Sequence, residues 1–196
     1  VSVVRTALIA CGSNGDNAGE FNRPRDVAVG INNEVYVADT FNHRIQKFDE
    51  NGEFLLEWGE YGLINQGEIL SSRLNEPWGL AVSDDGIVYV ADTWNHRIVK
   101  FDSNGKLIDS WGSFGDGVDL YSMWGPREVT IGPAGLVYVA DTGNKRISVF
   151  TQDGIGVRQI GKGGSFEGEL EEPVGIVVGD DELIYVADTW NARIQV

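Results

Sequence analysis

Short apolar runs separated by small polar turns recur along the whole chain. Gly79-Leu80-Ala81-Val82, Val88-Tyr89-Val90-Ala91, Ile98-Val99-Lys100-Phe101 and Leu107-Ile108-Asp109-Ser110-Trp111 form one such set. Runs of this length, bounded by glycine and asparagine, predict strands rather than helices. The second run of each set is continuously apolar, as expected for a strand covered on both faces. Asn51-Gly52, Asn104-Gly105 and Asp153-Gly154 predict tight hairpins, because these residues tolerate positive φ. The pattern therefore predicts sheets of four short strands, called a to d from the inside outward.

The sets repeat. Val35–Ile45, Val88–Ile98, Val137–Ile147 and Ile184–Ile194 all read V/I-Y-V-A-D-T-x-N-x-R-I. Their aspartates, Asp39, Asp92, Asp141 and Asp188, lie 53, 49 and 47 residues apart. Each motif is preceded by a proline (Pro24, Pro77, Pro126, Pro173) and, three residues earlier, by Phe21, Leu74, Met123 or Leu170. A period of roughly 40–50 residues with four short strands per unit points to propeller blades. The repeats span approximately residues 21–58, 74–111, 123–160 and 170–196, within one domain covering 1–196.

The order proline, strand, VYVADTxNxRI, strand resembles the NHL repeat over nearly the whole chain. The resemblance implies an all-β propeller of four-stranded antiparallel blades, usually six in number. It also implies a protein- or RNA-binding scaffold, with a few related propellers being lyases or lactone hydrolases. Four repeats leave two expectations: a fragment of a larger, six-bladed propeller, or a closed four-bladed ring. In the second, residues 3–10 supply an outer strand d beside residues 193–196. The absence of an initiator methionine favours a piece of a longer protein. The resemblance also suggests a bacterial parent that displays the propeller outside the cytoplasm.

Charge narrows the function. The chain carries 30 acidic and 15 basic residues, a formal net charge of −15. Nucleic-acid binding depends on cations displacing counterions from phosphates, so this balance argues against DNA, RNA and anionic membranes. No apolar stretch approaches the ~20 residues of a membrane span. Cys11 is the single cysteine, which excludes an intramolecular disulfide and a Cys/His metal cluster.

The invariant motif residues read as structural. Asp39, Asn42 and Arg44, with Asp92, Asn95, Arg97, Asp141, Asn144, Arg146, Asp188, Asn191 and Arg193, predict a b–c turn clamp used once per blade. Its Asp accepts turn N–H groups, its Asn takes the left-handed turn position, and its Arg bridges to the Asp or a neighbouring blade. One catalytic centre does not need four copies. His43 and His96 share a repeat position and fall short of a zinc ligand set. Catalytic residues, metal ligands and cofactors are therefore not expected.

Binding chemistry is sought where the copies differ. After the prolines come Arg25, Trp78, Arg127 and Val174, at the start of strand a, followed by Asp26, Gly79, Glu128 and Gly175. The varying b–c turn position holds Phe41, Trp94, Gly143 and Trp190. The d–a loops, Gly59–Glu76 and Gly112–Gly125 being long, share a face with these positions. Arg and Trp are frequent hot-spot residues. The expected partner site is thus Arg25, Trp78, Arg127, Phe41, Trp94 and Trp190, contacting a protein or carbohydrate. Two alternatives remain: a propeller lyase or lactone hydrolase with metal held near Asp26 and Glu128, and a purely architectural repeat.

Overall fold

The structure is a computed structural model, and it describes residues 10–65, 68 and 70–196. The chain enters through a parallel pair, β1 (Ser13–Asn14) and β2 (Glu20–Phe21). Blade 1 follows as β3 (Asp26–Val29), β4 (Val35–Asp39), β5 (Arg44–Phe48) and β6 (Phe54–Trp58). Blade 2 is β7 (Pro77–Val82), β8 (Val88–Asp92), β9 (Arg97–Phe101) and β10 (Leu107–Trp111). The loop after it holds a second parallel pair, β11 (Ser113–Phe114) and β12 (Ser122–Met123). Blade 3 is β13 (Glu128–Ile131), β14 (Val137–Asp141), β15 (Arg146–Phe150) and β16 (Gly156–Ile160). Blade 4 has β17 (Pro173–Val178), β18 (Ile184–Asp188) and β19 (Arg193–Gln195). Strands within each blade pair antiparallel in chain order, so the chain is an all-β propeller. The expected outer strand at residues 3–10 falls, up to Ile9, outside the described residues.

The core lies between blades. One cluster joins Tyr36, Ala38, Ile45 and Trp58 of blade 1 to Leu80, Val88, Val90 and Phe101 of blade 2. Equivalent clusters join blades 2 and 3, and blades 3 and 4. The alternate residues of β8, and likewise of β14, therefore serve two different cores. Trp58 packs over Gly105, and Trp111 over Gly154, where a Cβ would stand 2.7 and 2.8 Å from the indole. Both glycines also have positive φ, 76° and 74°, so the hairpin and the close approach require the same residue.

The motif builds a clamp that also fixes the d–a loop. Asp92 faces Arg97 across the β8–β9 ladder. The buried Asp92 carboxylate accepts from Asn75 N (2.6 Å), Asn95 Nδ2 (2.9 Å) and Arg97 Nε (2.8 Å). Arg97 in turn donates to the carbonyls of Ser71 (3.0 Å) and Arg73 (2.8 Å). The same arrangement recurs around Asp39, Asp141 and Asp188. One detail differs from the sequence expectation. Each Asn sits in a 3-10 turn, while the left-handed position is the next residue: His43, His96, Lys145 or Ala192. The Asn amide is occupied, donating to the Asp and to a loop carbonyl such as Gly62 O.

The motif threonine links blades. Thr40, Thr93 and Thr142 donate to Pro77 O, Pro126 O and Pro173 O of the following blade, at 2.8, 2.9 and 2.7 Å. Removing the Asp leaves a buried guanidinium without its counter-charge, a change that typically costs 3–5 kcal/mol. Asp92→Ala should therefore lose about 3–5 kcal/mol in denaturant unfolding. Thr93→Val should lose about 1 kcal/mol. Unchanged unfolding of Asp92→Ala would contradict the clamp.

Candidate binding face at the channel mouth

Each inner strand begins at or just after its proline, so the following side chains converge near the axis. Arg25, Trp78 and Arg127 form a stack there. The guanidinium carbons of Arg25 and Arg127 lie 3.6 and 4.5 Å from the Trp78 ring centroid. Phe41 extends it, with Arg25 at 6.0 Å and Arg23 at 5.1 Å. Arg127 is paired with Glu172 at 3.4 Å. Among the described residues no ion pair joins Arg25 or Arg127 to the acid that follows it.

Asp26 and Glu128 instead meet each other beside Gly79. Asp26 accepts from Leu80 N (2.7 Å) and Val27 N (2.8 Å). Glu128 accepts from Val129 N at 3.0 Å. A Cβ on Gly79 would stand 2.7 Å from Arg127 O, Glu128 Cα and Glu128 Oε1, so glycine is what lets the backbone at the start of β13, and with it the carboxyl, lie there. Burial, and then the charge of Asp26, push the Glu128 carboxyl up to about 8. Burial raises Asp26 as well. At neutral pH the pair shares a proton, because two adjacent half-buried carboxyls resist carrying two charges. The pair lines an open hollow of about 330 Å³ on the inner strands, together with residues such as Leu80, Thr130, Ile131 and Ile176. The described residues contain no group of three or more His, Cys, Asp or Glu able to hold a metal.

A second, larger groove of about 660 Å³ lies between the two long d–a loops. Leu63 and Ile64 line one side, Phe114 and Tyr121 the other, with Trp94 and His96 also lining it. Ile69, in the same loop, is outside the described residues. His96 lies 6.3 Å from Trp94 and 4.9 Å from Phe114, and Phe114 lies 6.0 Å from Trp124. Trp94 Nε1 donates to Glu76 at 3.1 Å. Trp190 is also exposed, but among the described residues no ring or ion-pair contact joins it to these groups.

The histidines have a role that residue spacing did not reveal. Gly125 N donates to His96 Nδ1, and Glu76 N to His43 Nδ1, both at 3.0 Å. Each acceptor contact requires an unprotonated Nδ1, so the neutral ring carries its proton on Nε2. Burial lowers both pKa values, in keeping with neutral rings. The histidines thus pin the start of the next inner strand. The signal in the sequence was their shared left-handed position, legible only once the turn was assigned.

The four strand sets coincide with matches to the NHL repeat model at residues 21–48, 74–101, 123–150 and 170–196. The chain belongs to the NHL-repeat family. Protein brain tumor of Drosophila melanogaster is 30% identical over 132 residues, covering 48% of this chain and 13% of that protein. Human NHL repeat-containing protein 2 is 36% identical over 80 residues, covering 39% of this chain and 11% of its own length. The chain thus corresponds to a small part of these relatives. A streptogramin B lyase structure superposes with a TM-score of 0.64 at 17% identity, covering 88% of this chain and 50% of the lyase. That likeness concerns the fold.

Glu128 gives the site a pH signature. Its folded pKa of about 8 lies above the ordinary 4.5. Its favourable contribution is complete below about 4.5 and is lost as pH rises through about 8. Glu128→Gln should therefore gain melting temperature relative to wild type between pH 5 and 8.5. A difference that stays constant across that range would contradict the shared proton.

Proposed function

We propose that this NHL propeller is a non-catalytic interaction module that binds a protein partner through the face carrying the d–a loops and b–c turns. The Arg25–Trp78–Arg127 stack is the observation that carries this reading. Guanidinium groups stacked on an indole keep their N–H edges available for carboxylates and carbonyls. Holding them in place beforehand lowers the ordering cost of association. Exposed Trp94, Phe114 and Trp124 supply apolar area beside them. A sugar is the weaker fit at the centre, because two guanidiniums already lie against the Trp78 ring. The net charge of −15 favours a protein over a nucleic acid.

The acids near the axis support a scaffold over a lyase or lactone hydrolase. Asp26 and Glu128 are engaged with backbone N–H groups and with each other. They offer a pair of carboxyls rather than a metal-binding set.

Trp78→Ala and Arg127→Ala should each weaken binding of the partner recovered with wild-type protein by about tenfold or more, the size expected of a hot spot. Circular dichroism should remain unchanged. Wild-type affinity in both variants would reject the site.

A further inference from the structure

Two joints between blades depend on a bond that acid removes. His43 and His96 end the b–c turns of blades 1 and 2 in the left-handed conformation, with φ of 55° and 58°. From there each ring reaches the next blade, where Nδ1 accepts from Glu76 N or Gly125 N at 3.0 Å. Glu76 and Gly125 stand two residues before Trp78 and Arg127, the two members of the channel-mouth stack on blades 2 and 3. Each ring also rests against an aromatic of the loop that follows its own blade. His43 lies 4.8 Å from Tyr61, and His96 lies 4.9 Å from Phe114. A ring held on two sides cannot turn away without leaving one of them. Protonation makes both ring nitrogens donors. Nδ1–H would then face the backbone N–H, donor against donor.

The surroundings decide when this happens. Burial holds His43 below its ordinary 6.5, against the smaller opposing pull of the Glu76 carboxylate on the next blade. Asp39 and Arg44 of its own turn are paired with each other, as are Glu60 and Arg73 of the loop carrying Tyr61. Burial lowers His96 as well. Asp92 and Arg97 of its turn are paired, Glu68 lines the same groove, and Asp116 and Asp119 accept hydrogen bonds within the loop carrying Phe114. A histidine lowered in the folded state contributes fully above about 6.5 and loses its contribution as pH falls through the folded value. Blades 3 and 4 hold Lys145 and Ala192 at the same left-handed position. Lys145 pairs with Glu171 at 2.6 Å. The turn therefore does not need histidine, and histidine stands at the two joints that lead to Trp78 and Arg127.

We propose that His43 and His96 are an acid-sensitive latch on the channel mouth: neutral rings hold the starts of β7 and β13, and protonated rings release them, so that the stack loosens in acid. As a control on partner binding, this rests on the stack being the partner site. The face then binds at neutral pH and lets go on acidification.

The latch can be read without a partner, by NMR of the 196-residue chain titrated from pH 7.5 to 5. The imidazole nitrogens report when each ring is protonated. The Glu76 amide and the Trp78 indole N–H should shift with the midpoint of His43, and the Gly125 and Arg127 amides with that of His96, both midpoints lying below 6.5. His43→Ala should abolish the steps at Glu76 and Trp78 and keep those at Gly125 and Arg127. His96→Ala should do the converse. Ala192 occupies the same position in blade 4, so both variants should fold. Steps that arise from Asp26 or Glu128 would survive both substitutions. Rings that stay neutral down to pH 5 would overturn the latch. So would rings that protonate while these four groups stay unmoved, or steps that persist in the alanine variants. Wild-type partner affinity in Trp78→Ala and Arg127→Ala would instead remove the partner site and leave the titration standing.

Discussion

A guanidinium buried at the base of each of the first three blades must find a partner for every N–H it presents, and the shape of the loop-rich face follows from how it does so. In blade 1, Arg44 donates to Asp39, Glu57 and the carbonyls of Asp16, Asn17 and Glu20. A buried ion pair is costly to desolvate and stabilises little unless its remaining hydrogen-bonding groups are satisfied. Here the loop backbone satisfies them. The charge is therefore tolerated, and the loop acquires a fixed path. Without that constraint, irregular segments of a dozen or more residues would have little to hold them over the axis.

The fixed path is what gives the variable residues a geometry. Asn75 is held by Asp92, and Glu76 by His43, immediately before Pro77 and Trp78. Trp78 is thereby placed between two arginines that belong to different blades. The neighbouring Gly79 leaves room for the Asp26–Glu128 pair. Scaffold and candidate site are thus consecutive in sequence but divided in task. Repeated residues define the frame, and varying ones occupy its centre.

The repeat also makes the structure close to one-dimensional, with each blade stabilised mainly by its neighbours. Tyr36, Tyr89 and Tyr138 are all buried by the blade that follows, while Tyr185 is only partly buried. The same residue in the same local strand therefore has different surroundings according to its place in the array. Burial here is a property of the interface rather than of the repeat.

The strands, hairpins and blade boundaries were legible in the sequence because period, proline, motif and Asn-Gly turns are local signals. The roles of Asp, Asn and Arg were legible in outline for the same reason. Their loop partners lie 17 to 33 residues away and depend on how the d–a loop returns over the turn. Arg25, Trp78 and Arg127 stood out as departures from the repeat, whereas their stacking on one ring required three blades to meet. Trp190 shared the same sequence signal, yet its place in blade 4 leaves it apart. Sequence by itself determined the propeller units and the positions free to vary. Tertiary structure decided which of those positions meet, because side chains about 50 residues apart are brought together only by the angle between blades.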